Sequence, residues 1–238
     1  MFYRFTIGTM RATIVSDGPL LLHAPDKTFL GPAAAELDAS LTAAGQRTDR
    51  IGVEQNCLLL ETAGKKILFD NGMGSAKLYG PDSGRLLGSL REAGVEPAAI
   101  DAMVLTHAHS DHCWGTMGDD GTPNFPNATL YLSEEELKFW TTAASASRMA
   151  RGVAGVRKHI LPLRDRIQII GDGEQFLPGV HALATPGHTP GHMAFLCTRR
   201  RLLERLVTER LSIVGYHHPW PGLGRVERAG GTFRFVPR

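Results

Sequence analysis

Cysteine is scarce in this chain: only three are present among 238 residues, at Cys57, Cys113 and Cys197. They are widely spaced and form no C-x-x-C pair, so the sequence indicates neither a disulfide framework nor a cysteine zinc site. Isolated cysteines are typical of proteins in a reducing compartment, and we therefore predict a cytoplasmic protein.

Long apolar runs and a large net charge are also lacking. No stretch approaches the roughly 18 consecutive apolar residues of a membrane-spanning helix, and residues 1–8 lack the apolar segment of a secretory signal. The net charge is only +2, and no basic stretch is interleaved with aromatic residues. We therefore expect neither a membrane nor a nucleic acid among the partners of this protein.

The nucleophile motif G-x-S-x-G is absent as well, so a serine hydrolase of the α/β type is not indicated. The chain does contain 42% hydrophobic residues, which is enough to bury a sizeable core. Its length suits one α/β domain spanning residues 1–238.

The most informative stretch is H-A-H-S-D-H, which places His107, His109, Asp111 and His112 directly after the apolar run 100–105. That run is typical of a short buried strand. If the extended conformation continues, His107 and His109 project to the same side, and a turn must bring Asp111 and His112 back. Imidazoles and a carboxylate are ligands that zinc prefers, and they also bind iron, cobalt or manganese.

One short arc cannot surround a metal ion, and two distant segments offer further imidazoles. The first is T-P-G-H-T-P-G-H at residues 185–192, which contains His188 and His192 between Pro-Gly turns. The second is the apolar run 211–214, which is followed by His217 and His218. Both segments place histidine where a strand meets a loop.

Together these motifs resemble the metallo-β-lactamase-fold hydrolases. Residues 56–61, 66–72 and 125–128 support the resemblance, and the closing run at 215–222 looks most like the branch of methyl parathion hydrolase and the acyl-homoserine lactone lactonases. The resemblance implies an αββα four-layer sandwich, in which two mixed sheets pack face to face, helices lie outside, and metals sit at one edge.

The resemblance also implies a set of ligands. A first zinc would be held by His107, His109 and His188, and a second by Asp111, His112 and His217. For His192 and His218 we expect a turn or a supporting role beside the ligands. Asp70 either supports a ligand in the same way or simply forms the turn Asp-Asn-Gly.

One residue of the family pattern is missing, because no aspartate stands between His188 and His217. In the family an aspartate in this interval bridges both metals. The strand that ends near Cys197 also runs directly into a helical pattern beginning at Thr198, although strand-to-helix connections usually need about 2–6 residues. We infer that a segment is missing here, which would weaken the second metal site. It would also leave strand edges that favour association, for instance as a homodimer.

The expected chemistry follows from the metal. Zinc lowers the pKa of a bound water from 15.7 towards about 7, and the resulting hydroxide would attack a small ester, lactone or phosphotriester. Asp111 would orient this hydroxide as well as bind metal. Trp114, Phe125 and Trp140 are candidates for an apolar substrate pocket, with ordinary core packing as the alternative.

Two hypotheses follow for the function. In the first, the protein is a zinc-dependent hydrolase with one or two metal ions. In the second, it is an internally deleted member of the family that binds little metal and has weak activity or none.

Overall fold

The computed structural model describes residues 1–7, 9–29, 31–142, 149–197, 212–218, 220–229 and 232–237. Seven strands form one sheet and follow each other in space in the order of the chain. The first three pairs of neighbouring strands are antiparallel, and the last three pairs are parallel. These strands are β1 (Phe2–Ile7), β2 (Met10–His23), β3 (Arg50–Thr62), β4 (Lys65–Phe69), β5 (Ala102–Val104), β6 (Thr129–Ser133) and β7 (Ile167–Ile170).

Two smaller antiparallel sheets follow. One has the order β10-β9-β8, and the other has the order β11-β12-β13. Within the described residues no strand pairing joins these two sheets to each other or to the large sheet. Their strands are β8 (Gln175–Leu177), β9 (Val180–Ala184), β10 (Met193–Leu196), β11 (Ser212–Val214), β12 (Leu223–Ala229) and β13 (Thr232–Pro237).

The described helices are mostly short. The sequence predicts a helix over 85–93 that stops at Gly94, and the structure confirms it, with Gly94 at a φ of 73°. None of the described helices is long and apolar enough to cross a membrane. The helices are α1 (Pro25–Thr28), α2 (Ala34–Ala43), α3 (Leu86–Glu92), α4 (Ser110–Cys113), α5 (Glu134–Thr141) and α6 (Ala150–His159), with 3₁₀ turns at Pro97–Ala99, Trp114–Thr116 and Leu161–Arg166.

The large sheet separates two apolar cores. Successive side chains of a strand point to opposite faces, so Cys57 and Leu59 of β3 join the core under the helices. Leu58 and Leu60 face the other core, which packs against β9 and β10. Helices on one face and a second sheet layer on the other agree with the predicted α/β sandwich. The predicted outer helix with Leu202, Leu203, Leu206 and Val207 lies outside the described residues.

The parallel part of the sheet determines where polar side chains gather. Because β4 and β5 are parallel, their carboxyl ends meet at the same edge of the sheet. Asp70 follows β4, and the arc that begins at His107 follows β5. This edge is where open α/β sheets generally place their ligands.

Close packing at Gly72 holds the loop after β4 in place. Gly72 has a φ of 72°, and a Cβ atom there would lie 2.3 Å from Cγ of Asp17. Asp17 is fully buried and accepts hydrogen bonds from the backbone N–H groups of Met73 and Leu86, each at 2.8 Å. Glycine at position 72 therefore provides both the left-handed backbone and the space for this carboxylate.

We predict that Gly72→Ala destabilises the protein more than Gly94→Ala. Both glycines have positive φ, so each substitution costs about 1–2 kcal/mol in backbone strain. Only Gly72→Ala adds a steric clash, worth about 1–3 kcal/mol more, because nothing lies within 4 Å of a Cβ at Gly94. Urea unfolding of both variants measures the difference, and equal losses would contradict the assigned contact.

Candidate metal centre

A single turn of helix brings the arc H-A-H-S-D-H back on itself. His109 caps α4, and its carbonyl accepts hydrogen bonds from the N–H groups of His112 at 3.0 Å and Cys113 at 3.2 Å. Asp111 and His112 therefore lie in the first turn of this helix and face the strand end that carries His107. The structure confirms the turn that the sequence predicts between these residues.

His107, His109 and His188 form a first trio of side chains whose candidate ligand atoms all lie within 4.8 Å of one another. Nδ1 of His109 is 3.0 Å from Nε2 of His188. His188 comes from the loop between β9 and β10, so two remote parts of the chain converge here. The ring of His107 is buried and that of His188 is exposed, which leaves the trio open to solvent on one side.

Asp111, His112 and His217 form a second trio that meets the same distance criterion. Oδ2 of Asp111 is 3.3 Å from Nε2 of His112 and 3.4 Å from Nε2 of His217. The two trios adjoin each other, since the rings of His107 and His112 are 4.0 Å apart. The structure thus groups the six residues as the sequence analysis does, while their role as metal ligands stays a prediction.

The two trios differ in charge. Burial and the neighbouring imidazoles lower the pKa of His107, and they lower that of His109 to about 4. Burial also lowers the pKa of His188. These three imidazoles are therefore neutral at pH 7 and present free lone pairs, the form in which histidine binds metal.

Two carboxylates, Asp111 of the second trio and Asp70 beside it, contact His112. Burial opposes a charge on His112, but the carboxylates of Asp111 and Asp70 outweigh it and raise the pKa of His112 to about 10. Burial also disfavours the ionised form of Asp111, but His112 and His217 hold its pKa well below the ordinary value. Two carboxylates beside one imidazole attract a cation to this trio.

The donor set fits a divalent metal ion. Nε2 of His107 is buried and has no hydrogen-bond partner among the described residues, whereas its Nδ1 lies 3.0 Å from Oγ1 of Thr106. A buried nitrogen without a partner is costly unless it binds something. Five imidazoles and one carboxylate, arranged as two trios, match the ligands that zinc uses in proteins.

Hydrogen bonds to the far side of the rings orient the second trio. Oδ2 of Asp70 lies 2.8 Å from Nδ1 of His112, and the carbonyl of Glu54 lies 2.9 Å from Nδ1 of His217. Both contacts direct Nε2 towards Asp111, as outer hydrogen bonds do in metal sites. Asp70 therefore contacts a candidate ligand, and it also accepts hydrogen bonds from the backbone and side chain of Thr106 at 2.8 and 2.9 Å.

His192 and His218 belong to neither trio. Nδ1 of His192 is 2.8 Å from Oγ1 of Thr185, which closes the loop around His188. The ring of His218 stacks on Phe235 at 3.8 Å. Both contacts agree with the supporting role that the sequence analysis expects for these two residues.

Asp172, in the sequence Gly-Asp-Gly, takes no part in the centre. Its Oδ1 accepts a hydrogen bond from the N–H of Ala184 at 2.8 Å, as a turn residue does.

Trp114 and Trp140 require a correction, because neither lines the cavity that contains the two trios. Trp140 is fully buried, and its Nε1 donates a hydrogen bond to Oε1 of Glu136 at 2.7 Å. Trp114 stacks on His159 at 5.3 Å, with an interplanar angle of 13°. Both rings are held in the core by α6, so core packing is their role. Phe125 is fully buried in the same core.

The two trios open into one cavity of about 1230 Å³. Its lining is largely apolar and includes side chains from both layers of the sandwich. Among the described lining residues the charged side chains are aspartates and histidines, with no lysine, arginine or glutamate. Apolar lining residues around the trios are Leu20, Leu22, Val53, Tyr79, Tyr216, Phe5, Ile7, Leu58, Phe69 and Phe195.

Comparison with known proteins agrees with this centre. The family model of the Metallo-beta-lactamase superfamily matches residues 50–203 of this chain. An N-acyl homoserine lactonase of Bacillus sp. is 27% identical over 157 residues, which cover 59% of this chain and 56% of the relative. Protein YobT of Bacillus subtilis (strain 168) is 32% identical over 151 residues, covering 62% and 59%. The matched part is therefore little more than half the length of these relatives.

Solved structures share the fold. The dizinc quorum-quenching lactonase AidC has a TM-score of 0.85 at 23% identity, covering 100% of this chain and 97% of that one. The hydrolase AbOPH of the beta lactamase superfamily has a TM-score of 0.84 at 24% identity, with the same coverage of 100% and 97%. At these identities the likeness concerns the fold.

We predict that His107→Ala and His192→Ala affect metal binding very differently. His107 is in the first trio, whereas His192 lies beside it, although their rings are only 5.1 Å apart. Loss of a ligand should weaken binding by more than about 100-fold, and loss of an outer partner by about 10-fold to 100-fold at most. Competition between the protein and a chromogenic chelator for Zn²⁺ measures both, and equal losses would make His192 a ligand.

Proposed function

The chain belongs to the metallo-beta-lactamase superfamily, and from this premise we propose that it is a zinc-dependent hydrolase of small neutral esters, lactones or phosphotriesters. The observation that carries the proposal is the convergence of two ligand trios in one largely apolar cavity. Relatives that are N-acyl homoserine lactonases support the lactone as a substrate.

His107, His109 and His188 would hold one ion, and Asp111, His112 and His217 a second. When bound, zinc supplies a Lewis acid and lowers the pKa of a coordinated water to about 7. Asp111 is the proposed catalytic residue, because its carboxylate lies between the imidazoles of the second trio and is ionised at neutral pH. From there its carboxylate can accept a hydrogen bond from the attacking water and orient it. Nitrogen and oxygen donors would also accept iron, cobalt or manganese.

The cavity favours neutral substrates. No described lysine or arginine lines it, so among the described lining residues only the histidines, together with a bound metal, could pair with an anionic substrate. Its apolar walls are suited to the hydrocarbon part of an ester or lactone. The partner of this protein is therefore proposed to be a small uncharged molecule.

A specific observation favours a second candidate function. No aspartate lies between His188 and His217, and among the residues that the structure describes the second trio contributes a single carboxylate, with no further one between the trios. Two cations about 3.5–4 Å apart repel each other unless negative charge lies between them. In this alternative the protein holds one ion or none and has little or no turnover.

We expect hydrolysis of a neutral lactone and of a paraoxon-type phosphotriester to be lost on chelation and restored by Zn²⁺. Asp111→Asn should lower kcat by at least about 100-fold, because the neutral amide is a weaker metal ligand and orients the attacking water less well than the carboxylate. The measurements are initial rates together with metal content per chain. Absence of both turnover and bound metal in the purified protein would support the second candidate.

A matched pair of substrates tests the charge preference. We expect kcat/KM for a neutral aliphatic ester to exceed that of the same ester carrying a terminal carboxylate by at least about 10-fold, since none of the described lining residues is a lysine or arginine that would offset desolvation of the carboxylate. Steady-state kinetics with both esters measures the ratio. A preference for the anionic ester would contradict the proposed substrate class.

A further inference from the structure

Two buried polar side chains outside the trios contact the segments that carry the ligands. They are Glu136, which is 1% exposed, and Asn56, which is 2% exposed. Glu136 lies in the first turn of α5, and Asn56 lies on β3. Neither side chain belongs to a trio. Glu136 contacts residues next to ligands of the first trio, and Asn56 contacts residues next to a ligand of the second.

Glu136 connects the segments of the first trio. Its Oε1 accepts a hydrogen bond from the N–H of Ala108 at 2.9 Å, and its Oε2 accepts one from the hydroxyl of Thr189 at 2.5 Å. Ala108 lies between His107 and His109, and Thr189 directly follows His188. One carboxylate therefore contacts both segments that supply the first trio.

The position of Glu136 is itself fixed. Trp140, one turn further along α5, donates its Nε1–H to Oε1 of Glu136 at 2.7 Å. Ser133 at the start of the helix donates its hydroxyl to the carbonyl of Gly191 at 2.6 Å. The described residues provide no ion pair to Glu136, so the hydrogen bonds from Ala108, Thr189 and Trp140 must offset the cost of burying its carboxyl oxygens. The start of α5 is therefore a rigid support for the loop around His188.

Asn56 holds the segment of the second trio. Its Nδ2 donates to the carbonyls of Tyr216 and His218, each at 2.9 Å, and its backbone N–H donates to Tyr216 at 2.9 Å. The two carbonyls flank His217. The hydroxyl of Tyr216 also donates to the carbonyl of Asp111 at 2.7 Å. Asn56 therefore places His217 against Asp111.

We propose that Glu136 and Asn56 are positioning residues that set the two metal trios independently of each other. The proposal rests on the proposed metal binding. The groups that Glu136 contacts, on Ala108 and Thr189, adjoin ligands of the first trio. The carbonyls that Asn56 contacts flank His217 of the second trio. Glu136 thus determines affinity at the first trio, and Asn56 determines affinity at the second.

Single-trio backgrounds test this separation. In His217→Ala the first trio alone is complete, and in His107→Ala the second trio alone is complete. Glu136→Ala should weaken Zn²⁺ binding by about 10-fold to 100-fold in the first background and by less than about 3-fold in the second. Asn56→Ala should show the reverse pattern. Zn²⁺ competition with a chelator and the visible spectrum of bound Co²⁺ are the two readouts.

Further variants separate positioning from general stability. Glu136→Gln keeps one oxygen that can accept hydrogen bonds from Ala108 and Trp140. The Zn²⁺ affinity of its first trio should therefore lie between those of the wild type and Glu136→Ala. Glu135→Gln, exposed on the same helix, and Asn127→Ala, at an exposed position away from the centre, serve as matched controls. Unchanged binding at the other trio shows that a variant is folded.

The outcomes distinguish the two proposals. If both variants weaken both trios alike, or change neither, the independent positioning roles are wrong while the proposed function stands. If the wild-type protein binds neither Zn²⁺ nor Co²⁺, both proposals fall.

Discussion

The close approach of imidazoles from three separate segments is the constraint on which the centre depends. Side chains from the arc after β5, from the loop before β10 and from the loop after β11 meet within a few ångströms. Such crowding is stable only when the backbone of each segment is held by its own partners. Buried polar side chains are these partners. Asp70 contacts His112, Glu136 contacts the loop that carries His188, and Asn56 contacts the loop that carries His217.

The two trios are electrically distinct although they adjoin. Burial keeps the first trio neutral, so its affinity for a cation comes from lone pairs. The second trio has the carboxylates of Asp111 and Asp70 around His112, which raise the pKa of that imidazole. No aspartate stands between His188 and His217, so the carboxylate of the described centre belongs to the second trio, and the two ions of a dinuclear form would be bound differently.

Much of the fold could be predicted from local signals. The apolar run 100–105 contains β5, the capping pattern at Ser133 begins α5, and Gly94 follows α3. These features depend on neighbouring residues, which is why sequence reasoning finds them. The orientation of Trp140 could not be found in this way, because it depends on Glu136 and on α6, whose Gly152 leaves room for the ring. For Glu136 the sequence indicates only a position in the first turn of a helix, and its contacts beside the first trio could not be predicted.

The sequence by itself determined the candidate ligands, since His107, His109, Asp111 and His112 crowd a short arc and His188 and His217 stand at strand-to-loop junctions. It also determined the alternation that gives the large sheet two apolar faces. Only the tertiary structure decided how closely the two trios adjoin each other, which tryptophans are core, and which buried side chains support the ligands. These features depend on contacts between residues far apart in the chain, and the periodicity of a single segment contains no information about them.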